Sequence, residues 1–258
     1  MPRVCVLVPF PLDDTAVANR RRQQRSVRLS PDMELEYKPV KAGPALLDSY
    51  HDYTLAHLSM LEAGLEAADE GFDAICIDTT SDSGANALRS MLDIPIVAPG
   101  RASYLTALML GNRFSVLTQW DGWIPVYVNG VNELGLGNHL ASVRSINMMP
   151  DLANLLGGKE DVVFPLLREE GMKCVQDGAD VICLGSTTMH DAHSYLAENL
   201  PVPVINPGPL TYKLAEAMLS LGLSQSRRAF PRPGVPKPEM VRAMIAAAAR
   251  SEAGATDA

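Results

Sequence analysis

An internal repeat restricts the possible folds of this chain more than any other feature of its sequence. Residues 71–80, GFDAICIDTT, resemble residues 178–187, GADVICLGST, and residues 94–100, IPIVAPG, resemble residues 202–208, VPVINPG. Each copy has the pattern of a strand that ends in hydroxyl residues, followed by a helix, a second strand and a second helix. Two copies predict two related lobes. If the lobes face each other across a pseudo-twofold axis, Thr79 and Ser186 meet in one cleft.

Short apolar runs alternate with helical stretches along the whole chain. Strands are predicted at residues 3–8, 34–39, 74–78, 94–97, 113–118, 143–147, 181–185 and 202–205. A helix is predicted at residues 50–70, with an apolar stripe formed by Leu55, Leu58, Leu61, Leu65 and Ala68. This alternation is typical of an α/β fold in which helices cover parallel sheets. Such sheets bind ligands in the loops beyond the carboxyl ends of their strands.

Charge and length exclude several classes of partner. The chain has 258 residues and a net charge of -8, so it offers no basic surface for nucleic acid or an anionic membrane. The apolar run at residues 4–8 is too short for a signal sequence or a membrane span, which predicts a cytoplasmic protein. The four cysteines, Cys5, Cys76, Cys174 and Cys183, are predicted to be buried reduced thiols, because they show no metal-ligand spacing. We expect a homo-oligomer with a small-molecule substrate.

The two copies of the repeat also resemble a known family. Residues 73–84, DAICIDTTSDSG, resemble the first catalytic loop of hydantoin racemases in the aspartate/glutamate racemase superfamily, and residues 178–189, GADVICLGSTTM, resemble the second. The resemblance spans nearly the whole chain. It implies two flavodoxin-like lobes, formed by residues 1–100 with 208–258 and by residues 101–207. It also implies an interlobe cleft for a small acid or cyclic amide, and no cofactor.

The chain departs from this family at the two positions that matter most for chemistry. The family has a cysteine at the positions of Thr79 and Ser186, and the two thiols remove and return a proton beside a carbonyl. A hydroxyl without an adjacent base does not ionise usefully near neutral pH. Hydroxyls can instead stabilise the charge that develops when water attacks a carbonyl or thiocarbonyl, although each can also serve simply as a helix N-cap.

The resemblance and this departure together favour an enzyme that hydrolyses or desulfurises a hydantoin-like ring. Such a ring is a 2-oxo or 2-thioxo imidazolidinone, which we expect to carry an acid side chain, as for a desulfhydrase of this superfamily. Two alternatives remain open. One is an atypical racemase, isomerase or decarboxylase of a small dicarboxylate, and the other is a catalytically silent ligand-binding protein.

The loops supply the candidate catalytic groups. Thr79 and Ser186 are candidate charge-stabilising donors, and Asp78, Asp82 or His190 is a candidate base that prepares the water. The alternatives are a helix N-cap near residue 83 for Asp82, a turn residue for Asp78, and a solvated or packed side chain for His190. His190 and His193 share a helix face, but two such ligands without a third do not make a metal site, so no metal is predicted. The candidate substrate-binding residues are Pro9, Phe10, Tyr50, Thr80, Ser81, Thr118, Thr187, Thr188 and His193.

Two further sets of residues each have two possible roles. Arg20, Arg21, Arg22 and Arg25 follow the first strand, where they either form a solvated helix face or clamp a substrate carboxylate. Trp120 and Trp123 follow the fifth strand, where they either line the cleft or pack beside it.

Overall fold

A computed structural model describes residues 1–149 and 160–256. The strands within these residues are β1 (Arg3–Val8), β2 (Glu34–Pro39), β3 (Ala74–Ile77), β4 (Ile96–Val97), β5 (Phe114–Thr118), β6 (Leu140–Ser145), β7 (Val181–Leu184) and β8 (Val204–Ile205). The α-helices are α1 (Asp14–Arg21), α2 (Tyr50–Asp69), α3 (Ala85–Met91), α4 (Pro99–Leu110), α5 (Ile124–Glu133), α6 (Glu160–Gln176), α7 (Ala192–Asn199), α8 (Pro207–Ser220) and α9 (Pro238–Thr256). Every predicted strand is present. The sixth begins three residues earlier than predicted, because pairing with β5 starts at Leu140.

The strands form two parallel sheets with the same internal order. One sheet has the order β2-β1-β3-β4 and the other has the order β6-β5-β7-β8. The central strands β1, β3, β5 and β7 are almost wholly buried, as expected when helices cover both faces of a parallel sheet. The predicted α/β fold with two related lobes is confirmed.

The helices that follow β4 and β8 each pack on the opposite lobe. Helix α4 contacts β5 and β7 of the second sheet, whereas α8 contacts β3 and β4 of the first sheet, and α9 packs on α2. Helices α4 and α8 also pack against each other. We retain the division into residues 1–100 with 208–258 and residues 101–207 as a proposal that agrees with these contacts.

The predicted apolar stripe of α2 is not the face that the helix buries most deeply. The wholly buried positions include Ala56, Met60 and Ala67, whereas Leu55 is 38% exposed. The small side chains let α2 lie close to its neighbours. At Gly64, for example, an added Cβ would lie 2.3 Å from Leu88 Cδ2. The pattern of leucines therefore predicted the helix correctly, and its stripe is only partly buried, because several of the most buried positions hold alanine or glycine, which permit close packing.

The four cysteines are free and buried, as predicted. Burial raises the pKa of Cys76 to about 12 and that of Cys174 to about 11, and it also raises the pKa of Cys5 and Cys183. These thiols are core side chains. In the described part of the chain, no helix has the length and apolarity needed to cross a membrane, and no group of three or more His, Cys, Asp or Glu side chains could hold a metal ion.

Candidate functional site

A cavity of about 290 Å³ lies between the lobes, at the carboxyl ends of β3 and β7. Thr79 and Ser186, at the equivalent positions of the repeat, both line it. Its lining combines apolar side chains with a group of hydroxyl-bearing side chains. The described residues that line the cavity are Phe10, Pro11, Leu12, Arg20, Pro44, Ala45, Leu46, Leu47, Tyr53, Asp78, Thr79, Thr80, Ser81, Trp123, Val126, Tyr127, Gly185, Ser186, Thr187 and Thr188.

Two reciprocal hydrogen bonds join the loops at the floor of the cavity. Thr80 Oγ1 donates to the carbonyl oxygen of Gly185, and Thr187 Oγ1 donates to the carbonyl oxygen of Asp78 at 3.2 Å. The repeat pairs Thr80 with Thr187 and Asp78 with Gly185, so these are two copies of one interaction. Each lobe therefore uses a hydroxyl to satisfy the carbonyl of the residue that directly follows a central strand of the other lobe, and this fixes the two loops relative to each other.

The side chains of Thr79 and Ser186 are half-buried and hydrogen-bonded to other hydroxyls. Thr79 Oγ1 lies 3.0 Å from Ser81 Oγ, and Ser186 Oγ lies 2.7 Å from Thr188 Oγ1. Ser186 Oγ also accepts from the backbone N–H of Thr188 at 3.3 Å, so it caps the short 3-10 helix Thr187–Asp191. The N-cap alternative thus applies to Ser186. Thr79 caps no helix, because Gly84 precedes α3.

Asp78 is tied into an ion pair and is not a free base. Its Oδ2 accepts from Arg20 Nη1 at 3.2 Å, and its Oδ1 accepts from Gln23 Nε2 at 3.1 Å. The side chain of Asp78 is 0% exposed, and Gln23 is also buried. The same Arg20 Nη1 donates to Thr187 Oγ1 at 3.3 Å, so one guanidinium contacts the loops of both repeat copies. Both carboxylate oxygens of Asp78 are thus already hydrogen-bonded, and its side chain has no exposed surface.

Asp82 points away from this cavity, towards the first turn of α4. Its carboxylate accepts from the backbone N–H groups of Gly100 at 2.7 Å and Arg101 at 2.8 Å. Burial raises its pKa to about 6, and the two backbone donors oppose that rise. Its own backbone adopts a left-handed conformation with φ of 54°. The expectation that Asp82 caps a helix near residue 83 is wrong, because α3 begins at Ala85 and Asp82 instead caps the more distant α4.

The two histidines also lie outside the cavity lining. His190 is buried, with Nδ1 3.2 Å from Asp191 Oδ1, and burial lowers its pKa while Asp191 opposes the shift. His193 Nε2 lies 3.0 Å from the carbonyl oxygen of Val204, to which it donates. Neither histidine is among the described residues that line the cavity, so neither imidazole is placed to act as a base there.

Four of the nine predicted substrate-binding residues do not line the cavity, namely His193 and the three described next. Tyr50 is 80% exposed, and its hydroxyl accepts from Asn129 Nδ2 at 3.3 Å. Thr118 is buried behind Tyr127, whose hydroxyl lies 3.0 Å from Thr118 Oγ1. Pro9 is buried, and the neighbouring Phe10 lines the cavity instead. Phe10, Thr80, Ser81, Thr187 and Thr188 are at the cavity, as expected.

Sequence reasoning missed Tyr53 and Tyr127 as cavity side chains, whereas for Trp123 it left open the cleft position that the structure shows. Tyr53, one helical turn after Tyr50, lines the cavity and donates to the carbonyl oxygen of Leu47 at 3.1 Å. Tyr127 donates to the carbonyl oxygen of Gly185 at 2.7 Å. Trp123 lines the cavity, and its buried indole Nε1 has no hydrogen-bond partner among the described residues. The helical spacing of Tyr50 and Tyr53 was a usable signal, whereas α5 gave none for Tyr127.

These side chains define what the cavity can do. Its apolar side chains suit the face of a small ring, and its hydroxyls can donate to ring carbonyl or thiocarbonyl groups. No thiol is present among the described lining residues, and the carboxylate of Asp78 is already paired. The cavity therefore offers hydroxyl donors to a bound carbonyl group, and its described lining holds no thiol.

Comparison with known proteins places the chain among similar sequences and folds. A family model described as Asp/Glu/hydantoin racemase matches residues 16–215. The hydantoin racemase of Pseudomonas sp. (strain NS671) is 28% identical over 229 residues, which cover 88% of this chain and 86% of that protein. The allantoin racemase from Klebsiella pneumoniae superimposes with a TM-score of 0.82 at 24% identity and covers 92% of this chain and 95% of its own. The allantoin racemase from Pseudomonas fluorescens gives a TM-score of 0.80 at 26% identity, with 91% and 98% coverage.

Proposed function

The chain belongs to the Asp/Glu/hydantoin racemase family, and from this premise we propose that it is an enzyme that acts on a hydantoin-like ring without two-thiol proton transfer. The reaction is hydrolysis or desulfuration at a ring carbonyl or thiocarbonyl carbon. One observation carries the proposal. The hydroxyls of Thr79 and Ser186 occupy the two positions where the resembling loops have cysteines, and both line the same cavity.

The thiols of this chain offer no substitute for the missing pair. The four cysteines are buried, and burial raises the pKa of each, so they stay protonated near neutral pH. None of them is among the cavity-lining residues. Proton removal from a ring carbon therefore has no thiolate to perform it.

The hydroxyls suit a different step. When water adds to a thiocarbonyl carbon, negative charge develops on sulfur; both protons of the water then leave with that sulfur as hydrogen sulfide, and the water oxygen remains as the carbonyl oxygen. When water adds to a carbonyl carbon, the charge develops on oxygen, a ring C–N bond breaks, and the departing nitrogen takes up a proton of the water. Donors on fixed loops stabilise this charge without reorganising, and each typically contributes about 10²-fold to 10³-fold in turnover. The reciprocal bonds of Thr80 and Thr187 hold the two loops in the required positions.

Racemisation is the second candidate, because the similar proteins are named hydantoin and allantoin racemases. It would require a group other than a thiol to remove the proton from the ring carbon that carries the substituent. A protein that only binds the ring is the third outcome, and the experiment below separates all three.

The test uses purified protein with 5-substituted hydantoins and the matching 2-thiohydantoins. Ring opening and hydrogen sulfide release report hydrolysis and desulfuration, and NMR in D₂O reports exchange of the ring proton. We expect water-dependent turnover of at least one ring, no enzyme-dependent exchange, and losses of about 10²-fold in turnover with little loss of binding for Thr79→Val and Ser186→Ala. Thr15→Val, at an exposed threonine of α1, is the matched control. Rapid deuterium incorporation would favour racemisation, and binding without turnover would favour a silent binder.

We also propose, from the sequence, that the protein is a cytoplasmic homo-oligomer. Size-exclusion chromatography with light scattering measures the oligomeric state of the protein. Fractionation of the source cells shows in which compartment the protein lies.

A further inference from the structure

Arg20 stands out among the cavity-lining residues by its charge and by its unused donors. It is the only lysine or arginine among the described lining residues, in a chain whose net charge is -8. Its side chain is 12% exposed. The hydrogen bonds of its guanidinium to Asp78 and Thr187 both use Nη1. In the described part of the chain, Nη2 and Nε have no partner, so three N–H donors of the guanidinium remain unused.

Contacts with both lobes hold one nitrogen of the guanidinium in place. Asp78, with a fully buried side chain, accepts from Nη1 and is itself fixed by buried Gln23. Thr187 holds the same nitrogen from the other lobe at 3.3 Å. A planar guanidinium that is fixed at one nitrogen loses little further freedom when a ligand binds its open edge. The other three arginines of this segment, Arg21, Arg22 and Arg25, are exposed.

We propose that Arg20 is a carboxylate-binding residue of this site, and that the substrate is a hydantoin-like ring with a short acid substituent. This inference rests on the proposed function. The Nε and Nη2 edge of a guanidinium matches the two oxygens of a carboxylate, and such bidentate pairs are among the strongest hydrogen-bonded contacts in proteins. Arg20 touches Thr187, which follows Ser186, and Asp78, which precedes Thr79. The carboxylate therefore lies close to the reacting ring atoms, so its substituent must be short.

The apolar part of the lining complements this assignment. Phe10, Leu47 and Trp123 line the cavity together with Arg20, so a planar ring can pack on apolar surface while its acid group reaches the guanidinium. Asp78 then acts as a positioning residue for Arg20, and its ion pair has a role besides stability.

The experiment compares two ligands that differ only in charge, hydantoin-5-acetic acid and its primary amide. Calorimetry measures binding of both to the parent, Arg20→Gln, Arg20→Lys and Arg21→Gln, where Arg21 is an exposed neighbour on the same helix. We expect the parent to bind the acid about 10-fold to 100-fold more tightly than the amide. Arg20→Gln should abolish the preference, Arg20→Lys should keep part of it, and Arg21→Gln should leave it unchanged.

The outcomes separate this inference from the proposed function. If the parent binds both ligands equally, the ring site stands and the role of Arg20 is refuted. If the parent binds neither ligand, nor any 5-substituted hydantoin, the proposed function itself fails. If Arg20→Gln lowers turnover equally for acid and amide and leaves their binding ratio unchanged, Arg20 acts on the reacting atoms and the carboxylate assignment is wrong. Should Arg20→Gln unfold because it leaves Asp78 unpaired, the acid-to-amide ratios of the parent and Arg20→Lys still decide the question.

Discussion

The two hydrogen bonds that Thr80 and Thr187 donate between the lobes allow a quantitative test. When one of these hydroxyls is removed, one acceptor carbonyl keeps another donor and the other does not. Thr187→Val deletes the donor to the Asp78 carbonyl oxygen and an acceptor of Arg20. Thr187 is 1% exposed, and the Asp78 carbonyl oxygen has no other side-chain donor among the described residues. An unsatisfied buried carbonyl costs about 1–3 kcal/mol. Arg20 keeps its ion pair with Asp78, so its lost contact adds only about 0.5–1 kcal/mol.

Thr80→Val is the matched variant with a smaller expected cost. It removes the donor from Thr80 to the Gly185 carbonyl oxygen, but the hydroxyl of Tyr127 still donates to that oxygen at 2.7 Å. The variant therefore loses only the net contribution of one hydrogen bond to the free energy of unfolding, about 0.5–1.5 kcal/mol. We therefore expect Thr187→Val to lower the free energy of unfolding by about 1 kcal/mol or more beyond Thr80→Val.

Urea unfolding followed by circular dichroism measures both variants, with Thr15→Val as the exposed control. The control should change the free energy of unfolding by less than about 0.5 kcal/mol. Equal losses for the two buried variants, or a larger loss for Thr80→Val, would refute the reasoning that the surviving Tyr127 bond sets the difference.

Two other predictions concern the pH dependence of stability caused by Asp82 and the effect of alanine at two helix glycines. Because burial raises the pKa of folded Asp82 to about 6, above an unfolded value of about 3.9, its contribution to stability is full below about pH 4 and is lost as pH rises through about 6. The parent should therefore lose up to about 3 kcal/mol relative to Asp82→Asn between pH 4 and pH 7, and a pH-independent difference in urea unfolding would contradict this. Gly100→Ala would place a Cβ 2.5 Å from the carbonyl oxygen of Thr80 and should cost about 1–3 kcal/mol. Gly130→Ala, whose nearest neighbour is 3.9 Å away, should gain about 0.5–1 kcal/mol, and similar melting temperatures for the two alanine variants would count against the predicted contact.

The alternation of apolar runs and helical stretches predicted the architecture well. The strands can be recognised in the sequence because both faces of a central parallel strand are buried, so that β3 and β7 are apolar throughout. The leucine stripe of α2 is only partly buried, with Leu65 in the core and Leu55 exposed, because the spacing of leucines reports hydrophobicity and not the close approach that Ala56 permits.

Within the site, the repeat identified the two loops but not the direction of each side chain. The cavity positions of Thr79 and Ser186 could be predicted from the ends of the strands that precede them. The side chain of Asp82, by contrast, points towards the distant N-terminus of α4. That contact spans 18 residues and depends on a left-handed backbone at Asp82, which no local pattern encodes.

The two lobes, the position of the cleft and the absence of cysteine at positions 79 and 186 could all be read from the amino-acid sequence, since they depend on local periodicity and on residue identity. Which charged groups reach the cleft became clear only from the folded chain. Arg20 does so through contacts with Asp78 and Thr187, which lie 58 and 167 residues away along the chain. The physical reason is that hydrophobic patterning acts over a few residues, whereas the pairing of buried charges and hydroxyls depends on packing between lobes.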